Sequence, residues 1–210
     1  MMGPLERFEP GTEIASFSRR TLLLGSLCSP LAPLAAMPNP RRASVLIAAA
    51  RRQVGVTLHY DPGYTKLAFP GGDVPRAKGV CTDVLIRAYR DALALDLQVL
   101  VNADMRRNFA AYPHRWGLRA PDSNIDHRRV PNLQTFFTRQ HARLPMPDNP
   151  NAWQPGDIFT SLIDGRLPHT GIVSDRGRGY VIHNIGNGAR EEAALFRYPL
   201  TGRYRWNLSA

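Results

Sequence analysis

Three side chains carry the chemistry open to this sequence: Cys81, His169 and His183. Cys81 stands in Gly79-Val80-Cys81-Thr82-Asp83, where a Gly- and Pro-rich stretch runs into a helical pattern. A helix N-terminus offers unpaired N–H groups and partial positive charge, which favour a thiolate and can hold an acyl oxyanion. His169 lies in Pro168-His169-Thr170-Gly171-Ile172-Val173, and His183 in Tyr180-Val181-Ile182-His183-Asn184; both segments have strand character. A thiol served by imidazoles is the machinery of a cysteine hydrolase. On this reading His169 takes the thiol proton and later gives it to the leaving amine, with a ring nitrogen roughly 3–4 Å from the sulfur. His183 fixes the tautomer of His169. Asn184 is the substitute if the strand is shifted by one residue, because such a slip turns a side chain to the other face.

These groups need particular elements beneath them. Cys81, Val84, Leu85 and Ala88 form an i, i+3, i+4, i+7 stripe, which predicts a helix over residues 81–93 with the thiol on its buried face. Helices are also expected over 44–55, 96–110 and 133–139, and a short extended piece over 64–69. Residues 113–131 and 145–155 read as connectors. Short strands are expected over 157–163, 169–174, 180–185 and around 197–206, separated by Gly- and Asp-rich turns. A hairpin from 169 to 185 sets both imidazoles on one side. Helices first and an antiparallel sheet second make an α+β domain.

The run Asp122-Ser123-Asn124-Ile125-Asp126-His127-Arg128-Arg129 is a candidate cleft wall. Arg128 or Arg129 could hold a peptide carboxylate through the planar guanidinium. Asp126 and His127 could pair with each other or bind an amine. The alternative is a loop held by its own hydrogen bonds. Asp83 is a candidate beside the thiol, or a first-turn helix charge. Asp73 is a turn residue or a functional one. Tyr60 or Tyr64 could help stabilise an oxyanion. Cys81, His127, His169 and His183 can be drawn as a metal set, but no pair has the close spacing of structural zinc ligands. No P-loop or dinucleotide fingerprint occurs, and neither a cofactor nor a metal is expected.

The chain has 210 residues and a formal net charge of +10. Residues 1–36 read as an export signal. Arg19-Arg20 precede an apolar run from Leu22, with small residues at Ala35 and Ala36, which points to the twin-arginine route into the periplasm. Cys28 follows Leu27, a poor context for a lipid anchor, and the run is too short and interrupted for a stable transmembrane span. Three arginines balance three glutamates in the leader, so the whole excess charge belongs to residues 37–210. They are expected to form one domain, which keeps a single free thiol where disulfides are the rule. The dispersed arginines suit an anionic envelope polymer. Nucleic acid is not an expected partner, since no recognisable module is present.

Several strings in order carry a family resemblance: Phe69-Pro70-Gly71-Gly72-Asp73-Val74-Pro75, Gly79-Val80-Cys81-Thr82-Asp83-Val84, residues 122–133, Pro155-Gly156-Asp157, and His169-Thr170-Gly171-Ile172-Val173 through His183-Asn184-Ile185-Gly186. From about residue 43 to 198 the chain resembles DUF1287, a bacterial branch placed near the NlpC/P60 (papain-like) cysteine peptidases. The resemblance implies a nucleophile helix packed on the antiparallel sheet, with the family's cysteine, histidine and third polar residue falling on Cys81, His169 and His183. It implies cleavage of amide bonds in cell-wall (peptidoglycan) peptides, often next to D-glutamate. The usual Asp-Cys-Ser-Gly string is absent, and residues 94–150 exceed a minimal peptidase core, as an insertion lining the cleft. Substrate-binding roles are expected for Asp83, Asp126, His127, Arg128 and Tyr64. Two other functions stay open: acyl transfer by the same thiol, and a non-catalytic wall-binding or assembly role.

Overall fold

A computed structural model describes residues 37–208. The expected export signal over 1–36, including Arg19, Arg20 and Cys28, lies outside the described residues. Four helices come mainly first: α1 (Pro40–Arg51), α2 (Cys81–Leu93), α3 (Leu97–Asn108) and α4 (Val130–Arg139). β1 (His59–Tyr60) and β2 (Lys78–Gly79) form a small parallel ladder before α2. Then β3 (Arg143–Leu144), β4 (Ile158–Ile163), β5 (Leu167–Val173), β6 (Tyr180–Asn184), β7 (Ala189–Ala193) and β8 (Leu200–Tyr204) build one antiparallel sheet in the order β3-β8-β4-β5-β6-β7. The fold is α+β, with helices packed on a C-terminal antiparallel sheet.

α2 is the central helix. Every residue from Cys81 to Tyr89 is buried. Its apolar stripe packs with α1, α3 and α4 against Ile158, Ile172 and Ile182 on one face of the sheet. The opposite face carries a second cluster: Trp153, Phe159, Val173, Val181, Ala194 and Leu195. Burying a helix on all sides requires partners for its polar residues. Arg87, fully buried, gives its guanidinium to Asp73, Thr57 Oγ1 and the carbonyls of Val74 and Lys78. Asp73 is therefore a structural counter-ion.

Several boundaries differ from expectation for local reasons. α1 begins at Pro40, not Ser44, because the Asn39 side chain accepts from the N–H groups of Arg41 and Arg42. Such a cap contributes about 1 kcal/mol, and proline suits the first helical turn. Pro131 sits in the first turn of α4, just after Val130, rather than closing a loop, for the same steric reason. Residues 64–68 are irregular instead of strand-like. Among the described residues, no helix is long and apolar enough to cross a membrane.

Candidate active site

The nucleophile end of α2 is built by its own first turn. Val80 is the N-cap, in extended conformation, and Cys81 is the first helical residue. Valine has no side-chain acceptor, so only half of a capping box forms: Asp83 accepts the Val80 N–H at 2.7 Å. Arg128 grips the same carboxylate with two bonds, Nε to Oδ1 at 3.0 Å and Nη2 to Oδ2 at 2.9 Å. Both side chains are almost sealed, at 2% and 4% exposure. Arg128 also donates to the carbonyls of Asp61 and Gly63, while Thr82 Oγ1 donates to the Arg128 carbonyl. From the sheet, Asn184 Nδ2 donates to the Gly79 carbonyl at 2.9 Å. Loop, helix and sheet are thus pinned around one residue.

The Cys81 sulfur is buried yet borders a cavity of about 300 Å³, also lined by Tyr60, Pro62, Trp116, Arg129 and Pro168. Burial pushes its thiol up to about 11, against hydrogen bonds from the Thr170 N–H, the Tyr60 hydroxyl and the Thr82 N–H. Burial likewise raises the Tyr60 hydroxyl, with the sulfur adding to the effect. Tyr60 therefore remains a donor. Below pH 11 each added pH unit multiplies the thiolate fraction tenfold. Iodoacetamide labelling of the peptide containing Cys81, followed by mass spectrometry, is expected to accelerate about tenfold per pH unit from pH 7 to 10. A plateau below pH 9 contradicts this.

The two imidazoles stand together on β5 and β6. His169 Nε2 lies 2.8 Å from His183 Nδ1, and His183 Nε2 lies 3.0 Å from Glu192 Oε1 on β7. Both rings pack near Phe159, on the sheet face away from α2. Gly171 permits this closeness. A Cβ there would meet the Ile182 carbonyl oxygen at 2.7 Å and His183 Cβ at 2.8 Å. Burial, then the neighbouring His183, pushes the His169 imidazole down to about 3. Burial lowers His183 too, against the Glu192 hydrogen bond. Both rings are neutral at pH 7.

The expected sulfur–imidazole hydrogen bond does not form in this structure. The sulfur meets β5 from the helical side, where the backbone N–H of Thr170 donates to it. His169 projects from the opposite strand face, as the two-residue period requires. Other expected site residues also have defined places. Arg128 and Asp83 are committed to each other, so neither fork nor carboxylate is open to a ligand. Asp126 does not pair with His127. It accepts from the Asp122 N–H, Arg129 and Asn132. His127 is buried with Nδ1 unpartnered, and burial lowers its imidazole to about 4. Tyr64 is exposed and bound to Asp122 and Asn124, whereas Tyr60 reaches the sulfur. Asn184 holds the Gly79 loop instead of a ring. Among the described residues, no group of three or more His, Cys, Asp or Glu is placed to hold a metal ion.

Sequence reasoning missed Glu192 and Trp116. Glu192 belongs to an edge strand whose Arg190-Glu191-Glu192 has no hydrophobic alternation, so no signal marked it. Trp116 stacks under the Arg129 guanidinium at 4.1 Å and under Arg115 at 5.8 Å. An aromatic among arginines in a Gly- and Pro-containing loop was the available clue.

Residues 47–206 match the model of a domain of unknown function, DUF1287. The chain is 50% identical over 186 residues to the uncharacterized protein YijF of Escherichia coli (strain K12), across 86% of this chain and 90% of that one. A comparison of folds finds NlpC1 from Trichomonas vaginalis, with 14% identity and a TM-score of 0.40, covering 79% of this chain and 43% of that chain. With the family model spanning most of its length and half of its residues shared with YijF, the chain belongs to the DUF1287 family.

Proposed function

We propose that the protein is an exported cysteine hydrolase, similar in plan to the NlpC/P60 peptidases, that cleaves amide bonds in cell-wall peptides in the periplasm. One observation carries this reading. A helix-start thiol borders an open cavity, and the strand that contacts its sulfur also bears His169, the first member of a His169–His183–Glu192 chain that runs across β5, β6 and β7. A buried structural cysteine needs neither the cavity nor the imidazoles.

The reaction begins from a neutral thiol and a neutral imidazole. Substrate binding must carry the His169 ring round from the far face of β5 to reach the sulfur, a larger movement than the tightening usual at unliganded sites. The sulfur attacks the amide carbon while His169 takes the thiol proton. The Cys81 N–H and the Tyr60 hydroxyl face the developing oxyanion. The C–N bond then breaks, and the amine leaves with the proton from His169. Water, deprotonated by His169, cleaves the thioester to a carboxylate and restores the thiol. His183 steadies the ring through Nε2 of His169.

The cavity favours a substrate carrying a carboxylate. Arg115, Arg128 and Arg129 line it, and no Asp or Glu does among the described residues. Since Arg128 is paired with Asp83 and Arg129 with Asp126, the available charge is on Arg115, at the Trp116 face. Residues 94–150 then act as a specificity wall, since Arg115, Trp116, Ile125 and Arg129 all come from them.

Incubating purified wall peptides in oxygen-18 water tests the reading. Wild type is expected to release an amine and a carboxylate carrying one solvent oxygen, and Cys81→Ala to release neither above background. A Cys81→Ala variant that processes the same peptides as fast as wild type contradicts the proposal. Product carrying no solvent oxygen, with a new amide instead, identifies acyl transfer.

A further inference from the structure

We propose that Glu192 is a positioning residue that decides which nitrogen of His169 receives the thiol proton. Its catalytic meaning rests on the hydrolase reading above. The arrangement itself rests on hydrogen-bond geometry together with the ionised state of Glu192 and the neutral state of both rings.

The argument runs along three side chains. Glu192 is ionised at neutral pH: burial opposes this, but hydrogen bonds from His183 and Arg197 hold its carboxyl below the usual range. An ionised carboxylate only accepts hydrogen bonds. His183 Nε2, 3.0 Å from Oε1, must therefore carry the hydrogen. A neutral imidazole has one N–H, so Nδ1 of His183 is bare. That bare nitrogen lies 2.8 Å from His169 Nε2, which must then be the donor. His169 is neutral as well, so its remaining nitrogen, Nδ1, is bare and open to a proton.

Without the carboxylate, the opposite arrangement is equally good for the two rings. His183 Nδ1 then donates to His169 Nε2, and the hydrogen of His169 sits on Nδ1, where it blocks proton uptake. Glu192 thus selects between a competent and an incompetent pair of tautomers without touching sulfur or substrate. Its orientation is fixed from behind, because Arg197 Nη1 donates to the same Oε1 at 3.1 Å. When His169 accepts the thiol proton at Nδ1, it becomes an imidazolium whose Nε2–H still points at His183. No proton moves further along the chain. Glu192 stabilises the new charge from two hydrogen bonds away.

The direct test is ring-nitrogen NMR on the folded, unliganded protein labelled with nitrogen-15 histidine, with resonances assigned through His169→Gln and His183→Gln. In wild type both rings are expected to carry hydrogen on Nε2 and none on Nδ1. Glu192→Leu is expected to mix the tautomers. Glu192→Gln is expected to restore the wild-type nitrogen pattern, because its amide oxygen, held by Arg197, still accepts. A merely structural role does not predict this rescue. A wild-type His169 with hydrogen on Nδ1, or an unchanged nitrogen pattern in Glu192→Leu, overturns the proposal. The two readings fail separately. The expected tautomers together with an active Cys81→Ala overturn the hydrolase reading and not the tautomer assignment. The wrong tautomers together with an inactive Cys81→Ala do the reverse.

Discussion

Asp83→Ala is expected to cost about 3–5 kcal/mol of folding stability, the range for removing one partner of a sealed ion pair. The carboxylate is 4% exposed and satisfies three donors: Val80 N–H, Arg128 Nε and Arg128 Nη2. Deleting it leaves a guanidinium uncompensated and a backbone N–H unpaired, in a place water does not reach. Arg128→Met alone should cost a similar amount, since it strands the carboxylate. The double variant Asp83→Leu/Arg128→Met should be more stable than either single change, because nothing charged is then buried alone. Urea unfolding followed by circular dichroism reads all three. A loss below about 1 kcal/mol in both single variants contradicts the account, being what an exposed pair gives.

The second large effect is on turnover. His169→Gln is expected to lower processing of wall peptides by about 10²–10⁴-fold, the usual worth of a positioned general base. Glutamine retains polar atoms for the ring's place but cannot take a proton at neutral pH. Near-ultraviolet circular dichroism is expected to match wild type, which separates lost chemistry from lost packing. His169 is neutral well below pH 7, pushed down to about 3 by burial and then by His183. Its capacity as a base is therefore already complete at pH 5. The rate is therefore expected to stay level from pH 5 to 9, since the thiol, pushed up to about 11 by burial, also keeps its proton there. A loss of less than tenfold in the folded variant removes His169 from the mechanism.

Much of the architecture was readable because its signals are local. The stripe Cys81, Val84, Leu85, Ala88 marks α2, and all four residues are buried. Alternation around Ile172 and Ile182 marks β5 and β6, with those residues on the helical face. What escaped depends on distant partners. β1 and β2 are two residues each, and only their mutual pairing makes them strands. β7 holds Glu191 and Glu192 because its donors, Arg51 and His183, come from elsewhere in the chain. Polar residues misled more than apolar ones. The charged run over 122–129 reads as a surface awaiting a ligand, yet Asp126, His127 and Arg128 are buried. Spacing places a charge on a segment. It does not say whether the neutralising partner belongs to a ligand or to the protein.

The bond from Asn184 to the Gly79 carbonyl spans 105 positions of the sequence. It bears on timing during synthesis. The thiol and its helix emerge from the ribosome first, whereas the rings, the glutamate and this carboxamide come from the last stretch made. β8, later still, inserts between β3 and β4 and closes the sheet. A nascent or prematurely terminated chain ending before β5 therefore carries the cysteine with neither imidazole. The cysteine, the two rings and the glutamate are all present only when translation is nearly complete.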